Sequence, residues 1–344
     1  MYRSPYLWLW ALCIFSGCSS YIHNQSIVNT GCNLPVASSA PQPLNVAFNG
    51  VTSFIIRYGN SIVLTDPFVS NPLGKQVMFG KIYPDTALVN AVYKDTDLID
   101  TKLVLVSHAH YDHLMDLPPL LPRLPSQTIV AGSNTTKHII AAAKPEQTVL
   151  ALNNIAGTDS TVGQWIYSTD STVRTMAFVS SHPPHFMGIT LYPGPYTDDL
   201  KEIPVKGSDY KRGLPLSYLI DFMEDGVPVY RIFSQSSSAH GSKGLFPKTM
   251  LKEKSIDVVL LSQAVHGKET DYSELVINHC HAPIVFCTHW ENFFRSIGQP
   301  LKTVPKAKVE ANYQYLVSTF ADSMSIILPK PGSKYTIQPQ ALHP

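Results

Sequence analysis

Leu103-Val104-Leu105-Val106-Ser107-His108-Ala109-His110-Tyr111-Asp112-His113 is the stretch that decides how this chain folds. Its apolar first half reads as a buried strand, and three histidines and an aspartate follow within six positions. A strand end is a place where a rigid sheet holds side chains in fixed directions. His108 and His110 are two apart and point the same way from an extended backbone, whereas Asp112 and His113 lie around the following turn and face a second position. Imidazole and carboxylate donors together suit zinc or a similar first-row ion. With 13 histidines in 344 residues a chance His-x-His is ordinary. Four donors packed behind one strand are not, so the stretch reads as metal-ligating.

The motif His108-Ala-His110-Tyr-Asp112-His113 resembles the signature of the metallo-β-lactamase superfamily. The resemblance implies an α/β fold, a four-layer αββα sandwich with its metal site at one edge of two facing sheets, and a metal-dependent hydrolase. It also implies that a histidine from Ser181-His182-Pro-Pro-His185-Phe186 completes a first metal position beside His108 and His110. His185, after Pro-Pro and before an aromatic, is the better match, which leaves His182 as a substrate contact. His289 follows the apolar run 283–288, precedes Trp290, and matches a late ligand of a second position with Asp112 and His113. Asp112 is also the expected catalytic residue, orienting a water or accepting its proton. Asp66, in Leu64-Thr65-Asp66-Pro67, is placed to accept a hydrogen bond from a ligating imidazole. The sequence around it resembles the branch that contains ascorbate-6-phosphate lactonase and the phospholipase D acting on N-acylphosphatidylethanolamine.

The chain departs from the family where an aspartate usually bridges two ions. The corresponding stretch Tyr230-Arg-Ile-Phe-Ser-Gln-Ser-Ser-Ser238 contains no acid, and Ser236 takes the place. A neutral oxygen binds zinc poorly and does not offset the repulsion between two cations. One tightly bound zinc and a weak second site are therefore expected, with His240 and Glu291 as candidate substitutes. The same departure supports a rival reading, a non-catalytic metal- or ligand-binding lipoprotein with a degenerate site. The favoured reading is hydrolysis of an ester-type bond, phosphodiester or lactone, in a small-molecule or lipid substrate of the cell envelope.

The envelope enters through the N-terminus. Arg3 precedes a short apolar stretch ending in Phe15-Ser16-Gly17-Cys18, which resembles a bacterial lipoprotein signal with Cys18 as the acylated residue. Export and a lipid anchor, in the outer membrane of a Gram-negative bacterium, are the expectation. Residues 1–17 then form the signal peptide, 18–44 a Ser-, Asn- and Pro-rich tether, 45–335 the hydrolase domain and 336–344 a tail. Beyond Cys13 and Cys18 the chain has Cys32, Cys280 and Cys287, enough for at most one disulfide. A net charge of +1 with 15% charged residues gives no electrostatic basis for nucleic-acid binding.

Strands are expected at 51–58, 61–65, 103–107, 128–131, 173–180, 216–222, 227–234, 257–262, 283–288 and 325–328. Helices are expected at 134–143 and after Pro305, the second with an apolar stripe of Val309, Tyr313, Leu316, Val317 and Phe320. Two insertions, 67–99 and 187–212, are long enough to cover a site.

Overall fold

A computed structural model describes residues 21–22, 27–38, 40–184, 190–264, 270–296, 298–305 and 307–340. The expected signal peptide, Cys18 and His185 lie outside them. In chain order the strands are β1 Val28–Asn29, β2 Asn33–Ala37, β3 Leu44–Gly50, β4 Ser53–Tyr58, β5 Ser61–Thr65, β6 Thr101–Leu105, β7 Ile129–Gly132 and β8 Thr148–Ala151. The second half adds β9 Ile166–Tyr167, β10 Val173–Val179, β11 Leu216–Glu224, β12 Val227–Gln235, β13 Val258–Ser262, β14 Ile284–Thr288, β15 Ser325–Pro329 and β16 Ser333–Gln340. They form two sheets, ordered β2-β16-β3-β4-β5-β6-β7-β8 and β1-β15-β14-β13-β12-β11-β10-β9.

The inner faces of the two sheets share one core, in which Phe48, Phe54 and Leu105 of the first meet Phe222, Ile232 and Phe286 of the second. Each outer face is apolar too, as it must be in strands whose neighbours run parallel and are covered on both sides. Over the first sheet lie helices α1 Gly74–Phe79, α2 Thr86–Val92, α3 Asp95–Leu98, α4 Tyr111–Leu114, α5 Leu117–Leu120 and α6 Asn134–Ala141. Val77, Val89, Leu114 and Ile139 from these helices pack against Leu64 and Val104. Over the second sheet, α7 Thr270–Cys280 and α8 Val309–Phe320 set Val276, Val309 and Leu316 on Val259, Leu261 and Cys287. The result is the expected αββα sandwich.

Two boundaries differ from the expectation. Residues 28–37, read as tether, supply edge strands: Val28 pairs with Leu328 and Leu34 with Ile337, nearly the whole chain away. Leu34 and Val36 are buried between exposed neighbours, and Pro35 is tolerated because β2 is an edge. The C-terminal segment read as tail continues β16 to Gln340. The insertion 67–99 is a helical layer whose Val77, Val89, Tyr93 and Leu98 are buried, instead of a cover for the site. Cys32, Cys280 and Cys287 are all free. Among the described residues no helix is long and apolar enough to cross a membrane.

One polar network is sealed inside the second sheet. The Arg231 guanidinium donates to both Asp221 oxygens at 2.7 Å, to Glu253 Oε2 at 2.8 Å, and to the carbonyls of Met250 and Lys254 at 2.8 and 2.9 Å. Arg174 adds bonds to Asp221 and Glu253 and lies 4.0 Å over the Trp165 ring. Every fork of the buried guanidinium is used.

Candidate metal centre

Parallel pairing delivers the polar side chains to a single edge. Gln235 is level with Leu261 and Leu261 with Cys287, so β12, β13 and β14 end side by side, with Ser236 after β12, Ser262 closing β13 and His289 one residue past Thr288, the partner of Ser262. β10 runs in the same direction as β12, both being antiparallel to β11, and its end leads to His182. In the other sheet Thr65 is level with Leu105, which puts Asp66 beside the start of the histidine motif. Edges where parallel strands end are common binding positions.

His108, His110 and His182 form one group, with a ligand atom from each within 4.8 Å of the others. His108 Nε2 lies 3.1 Å from His110 Nδ1. The opposite nitrogens are occupied: His108 Nδ1 is 3.1 Å from Ser107 Oγ, and His110 Nε2 is 3.2 Å from the Leu191 carbonyl. Such outward bonds fix ring orientation and tautomer, leaving the inward nitrogens to ligate. Burial, reinforced by the neighbouring imidazoles, holds His108 well below the ordinary histidine pKa, so it is neutral and has a lone pair to give.

Asp112, His113 and His289 form a second group within the same 4.8 Å limit. Asp112 Oδ2 stands 3.4 Å from His113 Nε2 and 3.5 Å from His289 Nε2. The groups adjoin, with the rings of His108 and His113 centred 4.0 Å apart. Asp66 Oδ2 accepts from Thr52 Oγ1 at 2.8 Å and Ser107 Oγ at 2.9 Å and lies 3.1 Å from His113 Nδ1. Burial opposes charge on His113, but Asp112 and then Asp66 outweigh it and raise its pKa to about 10. At Asp112 burial is likewise outweighed, by His113 first, and its pKa falls well below the ordinary carboxylate range. Both shifts express the mutual attraction of the Asp112 carboxylate and the His113 imidazole.

The residues fit a metal ion. Buried His113 Nε2 has no hydrogen-bond partner although it faces Asp112, which is the arrangement of a ligand atom awaiting a cation. Donor types, imidazole with one carboxylate, match zinc or another first-row ion. Three residues near the site hold left-handed backbone, Val51 at φ 53°, Asp66 at 37° and His289 at 55°. Such conformations cost about 1–3 kcal/mol each and persist where the surroundings over-determine them. Here the surroundings include the bond from His289 N–H to the Val51 carbonyl and that from Val51 N–H to Glu291 Oε1.

The expected third ligand, His185, is outside the described residues; among the described ones, His182, three residues after β10, stands beside His108 and His110. Ser236 lines the pocket over the two groups. His240 is exposed, with its backbone N–H donated to Ser181 Oγ, and Glu291 Oε1 accepts from the Val51 amide; neither stands in the two groups. The second group has three donors of its own without a bridging acid.

A cavity of about 800 Å³, counting its open mouth, lies over the groups and is lined by His110, Asp112, His182 and His289. Leu191, from the insertion 187–212, also lines it, as do Ser237, Ser238, Ser262, Phe293 and Phe294. Sequence reading passed over these last five. A signal existed for Ser262, which closes the buried run Val258–Ser262 as Ser107 closes the run before the motif.

Comparison with known proteins agrees with this geometry. Residues 46–148 match the model of the Metallo-beta-lactamase superfamily. No curated protein matches the chain in sequence. Among solved structures, a metallo hydrolase from the hyperthermophilic archaeon Ignicoccus hospitalis has a TM-score of 0.51 at 16% identity, covering 87% of this chain and all of its own. The isothiocyanate hydrolase from Delia radicum gut bacteria has a TM-score of 0.51 at 12% identity over 86% of this chain and 100% of that one. CmlA, a diiron β-hydroxylase from Streptomyces venezuelae, has a TM-score of 0.51 at 11% identity over 87% of this chain and 55% of its own. At these identities the structures share the fold with this chain. The family model covers the segment from β3 to β8 that carries the histidine motif, and the solved structures show a shared fold.

Proposed function

We propose that the protein is a metal-dependent hydrolase of an ester-type bond, with His108, His110 and His182 holding one ion and Asp112, His113 and His289 a second. The observation that carries this is the adjacency of two three-donor groups at the floor of one pocket. A bound first-row ion such as zinc supplies acidity, lowering the pKa of a water to about 7, and polarises an oxygen of the substrate. The chain supplies the rest. Asp112, fixed between His113 and His289, is placed to orient the attacking water and take up its proton, while Asp66 fixes His113 through its outer nitrogen. The water oxygen bonds to the electrophilic centre, the ester bond to the leaving oxygen breaks, and that oxygen departs with a proton.

The completeness of the second group revises the expectation of a single tight zinc: two ions per chain are expected, Ser236 notwithstanding. Elemental analysis after dialysis tests this directly, and one ion per chain would return the bridging position to importance. His110→Ala should lower bound metal and hydrolysis together, activity by at least about three orders of magnitude, since parts that act as a unit fail together. Unchanged activity with less metal would reject the hydrolase reading. The lipoprotein-like N-terminus supports an envelope location, with Cys18 lipid-modified. Cys18→Ser should then move the protein out of the membrane fraction.

A further inference from the structure

A second cavity borders the segment that carries His289. It has about 1320 Å³, counting its open mouth, and shares no described lining residue with the metal pocket. The segment is divided between the two: His289, Phe293 and Phe294 line the metal pocket, and Glu291, Asn292 and Arg295 line the second cavity. Arg295, Lys302 and Lys330 bring three positive charges to its wall. Glu291, the one acid among the described lining residues, is buried, and its Oε1 accepts the Val51 N–H. Lys330 is exposed and Arg295 and Lys302 are half-buried, so the basic side chains stay within reach of a ligand from solution. Ile297, the residue of this loop outside the described ones, carries no charge.

The cavity lies beside the N-terminal segment. Tyr21 forms an isolated antiparallel bridge with Lys302, and Lys302 Nζ stands 4.2 Å over the Tyr21 ring. Cys18 is three residues earlier, a reach of at most about 11 Å along an extended chain. We propose that Arg295, Lys302 and Lys330 form a site for the phosphate headgroup of an anionic lipid, in the leaflet to which Cys18 is anchored; this rests on the lipid anchor proposed above. A phosphate oxyanion takes charge-assisted bonds from guanidinium and ammonium donors, and basic side chains near a bilayer are drawn to its anionic surface. Tyr21, 49% exposed beside the site, is a residue type that sits at the headgroup level. A lipid on Cys18 tethers the chain without orienting it, whereas a headgroup in this cavity fixes which edge of the sandwich faces the bilayer.

The test is sedimentation of the metal-loaded full chain carrying Cys18→Ser with vesicles of phosphatidylcholine, alone or in equal mixture with phosphatidylglycerol. Affinity for the mixed vesicles should be about 100-fold the higher, and Lys302→Gln/Lys330→Gln should lower it about 30-fold, roughly 5-fold per lysine. Lys75→Gln/Lys81→Gln removes the same charge from exposed positions outside the cavity and should leave the affinity nearly unchanged. The apolar N-terminal stretch is common to all these proteins and cancels in the comparison. Tm and bound metal equal to those of the parent show that each variant is folded. Equal losses in the two lysine pairs would reduce the effect to net charge and overturn the site. Inorganic phosphate bound by the metal-free chain, and lost in Lys302→Gln/Lys330→Gln, with no preference between vesicles, would overturn the lipid occupant in favour of a free phosphate. A wild-type chain without lipid on Cys18 would overturn the anchor without altering the vesicle result, so the two readings fail separately.

Discussion

β12 carries two buried polar clusters five residues apart, and they are built on opposite principles. Around Arg231 every donor finds an acceptor: two oxygens of Asp221, one of Glu253 and two backbone carbonyls. Beside Ser236, in the pocket wall, the hydroxyls of Ser237, Ser238 and Ser262 are buried without a partner, as is His113 Nε2 in the second donor group. A network that satisfies itself holds the sheet together and has nothing left for a ligand. A cluster that leaves atoms unsatisfied destabilises the apo fold and is held ready for something from outside.

The largest expected separation between the two comes from Arg231→Ala. It strands the Asp221 carboxylate in the sheet, and breaking a buried pair in this way costs about 3–5 kcal/mol. Denaturant unfolding should show that loss while metal content per folded chain is unchanged; a loss of metal instead would mean that the clusters are coupled. Next is Asp66→Asn at the open cluster. It weakens the acceptor on His113 Nδ1 and should reduce metal affinity about 10- to 100-fold, measured by competition with a chelator, with a smaller effect on the stability of the metal-free protein. Equal affinity in mutant and parent would remove Asp66 from its supporting role.

The smallest effect is at Glu253, on the rim of the closed network. Burial acts to raise its pKa, but Arg174 and Arg231 prevail and hold it below the ordinary 4.5. A carboxylate with a lowered folded pKa contributes stability above its unfolded pKa, and loses it as pH falls through the folded value. The Tm advantage of the parent over Glu253→Gln should therefore shrink as pH drops below about 4.5. With 46% of the side chain exposed, solvent screening keeps that advantage small. A Tm difference that grows with acidification would contradict the assignment.

Much of this was legible in local sequence. The motif after β6 is contiguous, the strands β5, β13 and β14 are buried throughout with apolar centres, and β6 is apolar from Leu103 on. The α8 stripe likewise places Val309 and Leu316 in the core. What escaped depends on distant partners. Asn33–Ala37 is too short and too polar to announce a strand, and becomes one because β16 lies beside it. The choice between His182 and His185 depends on the path of one loop, which spacing alone does not fix. The pocket serines matter because three parallel strands end level, a relation between residues far apart in sequence.

Val51 and His289 sit on opposite sheets, joined by one backbone bond. Each metal group is divided in the same way: His108 and His110 follow β6 while His182 follows β10, and Asp112 and His113 face His289 after β14. Ions held there would act as rivets between the two halves of the sandwich. Because the unfolded chain cannot reproduce either group, occupancy at a hundred times the dissociation constant adds about 2.7 kcal/mol to the folded state per independent site. Chelation should then loosen the seam between the sheets at that edge. Amide exchange at the ends of β6 and β14 should quicken there while the Arg231 network remains protected.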